Sequence, residues 1–278
     1  MPVIAAHFEP LFFVSRKLLA LCLTGVGLMV FNPHTSLAEE TSKTLTIAAD
    51  EWCPINCTPD KAPLGIGIDL AKAAFEPLGY QIKYVTMPWT RALEEVRKGT
   101  VDAVVGANTT DDPTLVFPKS PLYFMTDDFY ALKGHSIAFK DMNSLKAYKV
   151  GTIKGYGYSG DLANFIKSQS AVSGAIQEVS GDDAGLQNIR KLQAKRIDVM
   201  VESGPVMSYR LKQMNLTEQI VHVGSLPQDN IFIGFSQAKP ESKQRAQQFD
   251  EAVARLRKDG KITGIYAAYN LEAPKTKP

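Results

Sequence analysis

The stretch from Val85 to Thr110, VTMPWTRALEEVRKGTVDAVVGANTT, constrains this chain more than any other. It reads as a strand end, a short helix, a second strand and a turn rich in short hydrogen-bonding side chains. Pro88 and Thr90 mark the helix start, because proline suits a first turn and a threonine hydroxyl satisfies orphan amide donors. Ala92, Leu93 and Val96 share one helical face, and Gly99 stands where a helix ends in a left-handed residue. Val101, Ala103, Val104 and Val105 then form an apolar run of the kind buried on both faces in a parallel sheet. Asn108, Thr109 and Thr110 therefore fall past the carboxyl end of a strand, where open α/β sheets bind ligands.

The first residues do not belong to that pattern. Arg16 and Lys17 precede an apolar run from Leu18 to Phe31, followed by the small-x-small cleavage signal Ser36-Leu37-Ala38. The run is shorter than the roughly twenty residues of a spanning helix. Residues 1–38 are therefore read as a signal peptide, with an uncleaved anchor as the alternative, and the mature chain as exported from near Glu39. Cys22 leaves with the signal. Cys53 and Cys57 remain, an even pair in an oxidising compartment, and a structural disulfide is the expectation. A metal pair is the poorer reading, since His34, His135 and His222 are scattered; neither a metal nor a cofactor is expected. The net charge of +2 comes with no long basic run, so no nucleic-acid partner is expected.

Downstream, Thr44–Ala49 reads as a first strand ending at Asp50-Glu51-Trp52. Asp69 reads as the cap of a helix from Leu70 to Leu78, closed by Gly79, and Gln81–Val85 as a second strand. With the opening stretch this makes β-α-β-α-β, a half-Rossmann unit. A second unit begins at Tyr148–Ile153 and continues through strands at Ala175–Val179, Ile197–Val201 and Gln219–Val223, with helices between. Candidate crossings lie near 130–136 and 229–235. The expected fold class is α/β: two Rossmann-like lobes joined by a two-strand hinge around a cleft. Residues 39–131 with 235–278 make lobe one, and 132–234 lobe two.

The succession of EW…P, G-I-D-L, F-x-x-L-G-Y, M-P-W-T-R-A-L, G-T-V-D-A, a Thr turn, F-x-x-S-P-L-Y, V-G-T-I-K-G and R-I-D-V resembles the periplasmic solute-binding proteins of polar amino-acid ABC importers, family 3. The resemblance runs from about 44 to 270, and it implies the type II periplasmic binding protein fold. It also implies a periplasmic binding protein, not an enzyme, with a small-molecule solute and a membrane ABC permease as partners; a monomer is expected, since a clamp needs both lobes free. In that family aromatic walls flank the solute, a Ser/Thr turn and an Arg hold its carboxylate, and a second-lobe acid holds its ammonium. Carried onto this chain, the walls are Trp52 and Trp89, beside Glu51, although tryptophans there also serve as core. Asn108, Thr109 and Thr110 match the turn, or are plain turn chemistry. The family's Arg falls at Pro113, and Arg91 is the candidate substitute, or a solvated helix-start residue. Tyr156, Gly157 and Tyr158 stand at the second-lobe anion turn, where tyrosines replace small hydroxyl residues. Glu202 is one residue early for the ammonium-binding acid, with Ser203 at the expected place.

No Walker loop, zinc motif or EF-hand loop is present. Asp111-Asp112 and Asp182-Asp183 are paired carboxylates, read as turn and helix-start acids. Two rival functions remain at this point. One is an exported cyclohexadienyl dehydratase-like enzyme with Glu202 as its acid. The other is a sensory or partner-presenting binding module.

Overall fold

The computed structural model describes residues 43–60, 62–158 and 160–275. The expected signal peptide, with its cleavage signal and Cys22, lies outside them. Strand β1 (Lys43–Ala49) buries Leu45, Ile47, Ala48 and Ala49 completely. It pairs in parallel with β2 (Tyr80–Thr86) on one side and β3 (Ala103–Ala107) on the other. Consecutive buried residues mean that both faces are covered. Helix α1 (Ile66–Phe75) covers one face, and α2 (Trp89–Lys98) covers the other with Ala92, Leu93 and Val96 packed near Ala48 and Val104.

Two local expectations need correction. Helix α1 starts at Ile66, so Asp69 lies inside its first turn and does not cap it; its carboxylate accepts the Tyr269 hydroxyl at 2.5 Å. The start is set by Gly65, whose φ of 105° brings the backbone against the 53–57 loop, where a Cβ would lie 2.5 Å from the Ile55 carbonyl. Helix α2 starts at Trp89 with Pro88 as its N-cap residue and no side-chain cap, so the Thr90 hydroxyl does not serve there. Gly99 does end it in the left-handed region.

The chain then forms β4 (Tyr123–Met125), β5 (Asp128–Leu132), β6 (Val150–Ile153), α3 (Gly160–Gln169), β7 (Ile176–Val179), α4 (Ala184–Gln193) and β8 (Val199–Glu202). It continues through α5 (Gly204–Gln213), β9 (Ile220–Ser225), β10 (Asp229–Phe235), α6 (Ser242–Lys258) and α7 (Lys261–Ala267). The first sheet has the order β2-β1-β3-β10-β4 and the second β7-β6-β8-β5-β9. In each five-stranded sheet four strands run one way, and one, β10 in the first and β5 in the second, runs antiparallel between them and enters from the other lobe. This is the type II periplasmic binding protein fold.

The crossings fall at Thr126–Asp127 and Leu226–Gln228, between β4 and β5 and between β9 and β10. They come earlier than the expected boundaries at 131/132 and 234/235, so β5 belongs wholly to the second sheet and β10 wholly to the first. The apolar runs FYAL and IFIGF placed the strands but carried no mark of which sheet each would join.

Helices α6 and α7 fold back onto the first sheet. Phe249, Val253 and Tyr266 join Phe75 and Phe235 in one cluster, with Phe75 edge-on to Phe235 at 5.9 Å. Arg245 of α6 bonds the buried Asp102 at 2.9 Å, and Asp102 also accepts the Thr46 amide at 2.8 Å. In the second lobe Phe129, Val150, Leu162, Phe165 and Val199 fill one side of the sheet, and Ile189, Leu192, Met200 and Met207 the other.

Candidate functional site

The carboxyl ends of β1 and β3 in lobe one meet those of β6 and β8 in lobe two across the crossings. Ligands bind at such ends because side chains of successive loops converge there. The lobes are closed onto a cavity of about 40 Å³. Four aromatic residues, Trp52, Trp89, Tyr156 and Tyr158, and four acids, Asp50, Asp111, Asp127 and Glu202, line it.

At the end of β1, the buried Asp50 accepts the Tyr156 hydroxyl at 2.5 Å from the opposite lobe. Burial pushes its carboxyl above the usual range, against the Tyr156 hydrogen bond and the Arg210 charge. Trp52 follows on a loop closed by the Cys53–Cys57 disulfide, as expected, and its amide bonds the Asn56 carbonyl at 2.8 Å. So fixed, the indole Nε1 donates to Glu202 Oε1 at 2.8 Å, again across the cleft. Glu202 also accepts the Ser203 amide at 2.9 Å and is 5% exposed. Burial raises its carboxyl, opposed first by the Arg210 charge. Arg210, on α5, sends Nη2 to the Glu51 carbonyl at 2.7 Å, a further bond between lobes.

The turn after β3 is organised by Asn108. Its Oδ1 accepts the Thr110 amide and hydroxyl and the Asp111 amide at 2.7–2.9 Å, an arrangement that shapes the turn from within. Its Nδ2 donates to the Gly157 carbonyl, which also accepts the Thr110 hydroxyl at 3.0 Å. Asp111 collects three donors: Trp89 Nε1 at 3.0 Å, the Asn108 amide at 2.7 Å and the Gly157 amide at 2.6 Å. Burial outweighs these bonds and pushes its carboxyl up to about 6. Trp89 meets Tyr156 edge-on at 6.4 Å.

Most of the sequence candidates thus converge on one cleft: Trp52, Trp89, Asn108, Tyr156, Gly157, Tyr158, Glu202 and Ser203 line it. Thr110 reaches it through Gly157, and Glu51 contributes its backbone carbonyl from the rim. Tyr158 has a structural bond as well, since its hydroxyl accepts the Ile153 amide at 2.7 Å. Two candidates do not join. Arg91 is exposed on α2 and lines no part of the cavity, because the cleft-facing end of that helix is taken by Trp89; Thr109 is exposed at the turn tip. Pro113 is exposed as well.

Sequence reasoning missed Asp50, Asp111 and Arg210. The pair Asp111-Asp112 was a visible signal, but the two acids part company: Asp111 enters the cleft while Asp112 pairs with Arg97 at 2.5 Å. Asp50 adjoins two candidates at a strand end and was legible from that position. Nothing local marks Arg210.

Residues 45–148 match the family model described as bacterial extracellular solute-binding proteins, family 3. Among solved structures, the chain is similar to an ABC uptake transporter substrate-binding protein from Streptococcus pneumoniae with bound histidine. That likeness has 20% identity and a TM-score of 0.70, covering 85% of this chain and 96% of that one. A histidine kinase sensor domain with similarity to periplasmic binding proteins aligns at 18% identity and TM-score 0.69, over 82% of this chain and 97% of that one. An ancestral amino acid-binding protein, a precursor of cyclohexadienyl dehydratase, aligns at 18% and 0.65, over 81% and 94%. At these identities the likeness establishes the fold. No curated protein matches the chain.

Proposed function

We propose that this chain, which carries the family 3 extracellular solute-binding match in its first half, captures a small polar solute between its lobes outside the cytoplasmic membrane and delivers it to an ABC permease. The observation that carries this reading is the cleft itself. Both lobes supply its walls, and hydrogen bonds from Trp52, Asn108, Thr110, Tyr156, Gly157 and Arg210 cross it. A solute bound there contacts both lobes only when they are closed, so it stabilises closure by differential contact. Closure then gives a membrane partner a surface that differs between loaded and empty forms. The chain works as an exported monomer, with Cys53–Cys57 stiffening the loop that carries Trp52.

The test is a thermal-shift screen of the purified exported protein against amino acids, amines, organic acids and neutral polar solutes. A ligand at a hundredfold excess over its dissociation constant adds about 2.7 kcal/mol, which moves the melting point by several degrees. A screen with no shift in any class removes the transport reading. A dehydratase-like reading rests on one observation, that Glu202 is a buried acid whose carboxyl is raised toward the protonated form. Turnover of prephenate or arogenate, lost in Glu202→Gln, would replace transport with catalysis.

A further inference from the structure

We infer that the cleft selects a cationic solute lacking a carboxylate, an organic amine, amidine or quaternary ammonium, over an α-amino acid. This inference rests on the solute-binding reading and narrows it to a substrate class.

The charge of the lining is one-sided. Four acids border the cavity, and among the described residues no Lys, Arg or His does. Among the described residues Arg210 is the cation whose field reaches both Asp50 and Glu202; its Nη2 donates to the Glu51 carbonyl, its buried Nε has no hydrogen-bond partner, and it is not part of the lining. A carboxylate entering this space meets like charge in a medium that screens poorly.

The donors suited to a ligand carboxylate are also already used. In a cleft of this kind the backbone amides of the two turns are the groups an anion seeks. Here the Asn108 amide, the Gly157 amide and Trp89 Nε1 all donate to Asp111. The protein's own carboxylate occupies the anion position, and neither Pro113 nor the exposed Arg91 supplies a replacement clamp.

The cation side, by contrast, has unspent capacity. Ser203 Oγ, which lines the cavity, and Glu202 Oε2 are buried without hydrogen-bond partners among the described residues, in residues 2% and 5% exposed; Oε2 turns toward Gly185, where the Arg210 guanidinium also lies. Buried polar atoms are normally satisfied, so the unpartnered Ser203 Oγ, next to the Glu202 carboxylate in the lining, marks a place for a ligand donor. The same cavity is walled by Trp52, Trp89, Tyr156 and Tyr158, aromatic rings of the kind that attract cations through their quadrupoles.

Matched pairs isolate the carboxylate: arginine with agmatine, ornithine with putrescine, and histidine with histamine. Isothermal titration of the purified exported protein is expected to give at least one pair in which the amine binds tenfold or more tightly than its amino acid. Glu202→Gln is expected to weaken that amine at least tenfold. Asp111→Asn, checked for folding by its melting curve, removes the internal anion and is expected to narrow the gap within the pair. An amino acid binding as tightly as its amine overturns the inference and leaves solute binding intact. So does binding confined to organic acids or neutral solutes. An unchanged gap in a folded Asp111→Asn protein overturns the role given to Asp111. Failure of every class to bind overturns the solute-binding reading itself, and this inference with it.

Discussion

Gly157→Ala places one methyl group where the two lobes touch. A Cβ there would lie 2.6 Å from Asn108 Oδ1, 2.7 Å from the Asp111 amide nitrogen and 2.7 Å from Thr110 Oγ1, all in the opposite lobe. Gly157 does not sit at positive φ, so alanine brings no backbone strain to lobe two. The substitution therefore acts on closure and spares the folding of either lobe. To relieve the clash the lobes must part, and three hydrogen bonds at Gly157 are lost: one from its amide and two to its carbonyl. At about 1 kcal/mol net for each, and less for the Thr110 hydroxyl, whose single proton is shared with Asn108 Oδ1, the closed form loses roughly 2–3 kcal/mol. That shifts the open–closed ratio roughly 100-fold. The chain has two tryptophans, Trp52 and Trp89, each 5% exposed at the cleft, so intrinsic fluorescence reads opening directly. Red-shifted emission and a larger radius of gyration by X-ray scattering are expected, with the melting point nearly unchanged. Gly160→Ala, where an added Cβ meets nothing within 4 Å, is the control. If Gly157→Ala keeps wild-type emission and scattering, the Gly157 contacts do not hold the lobes together and the reasoning fails.

Two further outcomes follow from buried charge. Asp111 holds its proton to about pH 6 in the folded chain against 3.8 unfolded, so its contribution to stability is present below the lower value and lost as pH rises through the upper. Two units correspond to ~3 kcal/mol. Wild type should lose stability relative to Asp111→Asn by about that amount between pH 4 and 7, and a gap that is constant with pH in denaturant titrations would contradict it. Asp102→Ala leaves the buried Arg245 without its 2.9 Å partner, and breaking such a pair costs about 3–5 kcal/mol. A loss of unfolding free energy below about 1 kcal/mol in urea titration would show that water or Tyr80, 6.0 Å from the guanidinium, takes over.

Much of lobe one was legible because its signals are local. Ala92, Leu93 and Val96 repeat at helical spacing and bury together, and Gly99 takes the left-handed conformation that ends the helix. The Cys53–Cys57 pair needs only four residues of chain to close. The start of α1 was misread because Gly65 answers to the packing of a neighbouring loop, which periodicity does not report. The crossings were misplaced for a related reason, since an apolar strand carries the same pattern whichever sheet receives it.

By itself the sequence determined the two sets of strands and helices, the disulfide loop and the aromatic and acidic residue types at the strand ends. These depend on burial periodicity and turn chemistry, which neighbours in the chain enforce. Only the tertiary structure decided who meets whom across the cleft. Asp111 meets Gly157 over 46 residues, Trp52 meets Glu202 over 150, and Arg210 meets Glu51 over 159. Such pairings are chosen by the hinge geometry and by the desolvation of the groups brought together, and a carboxylate next to a turn carries no mark of whether it will face water or fill an anion site.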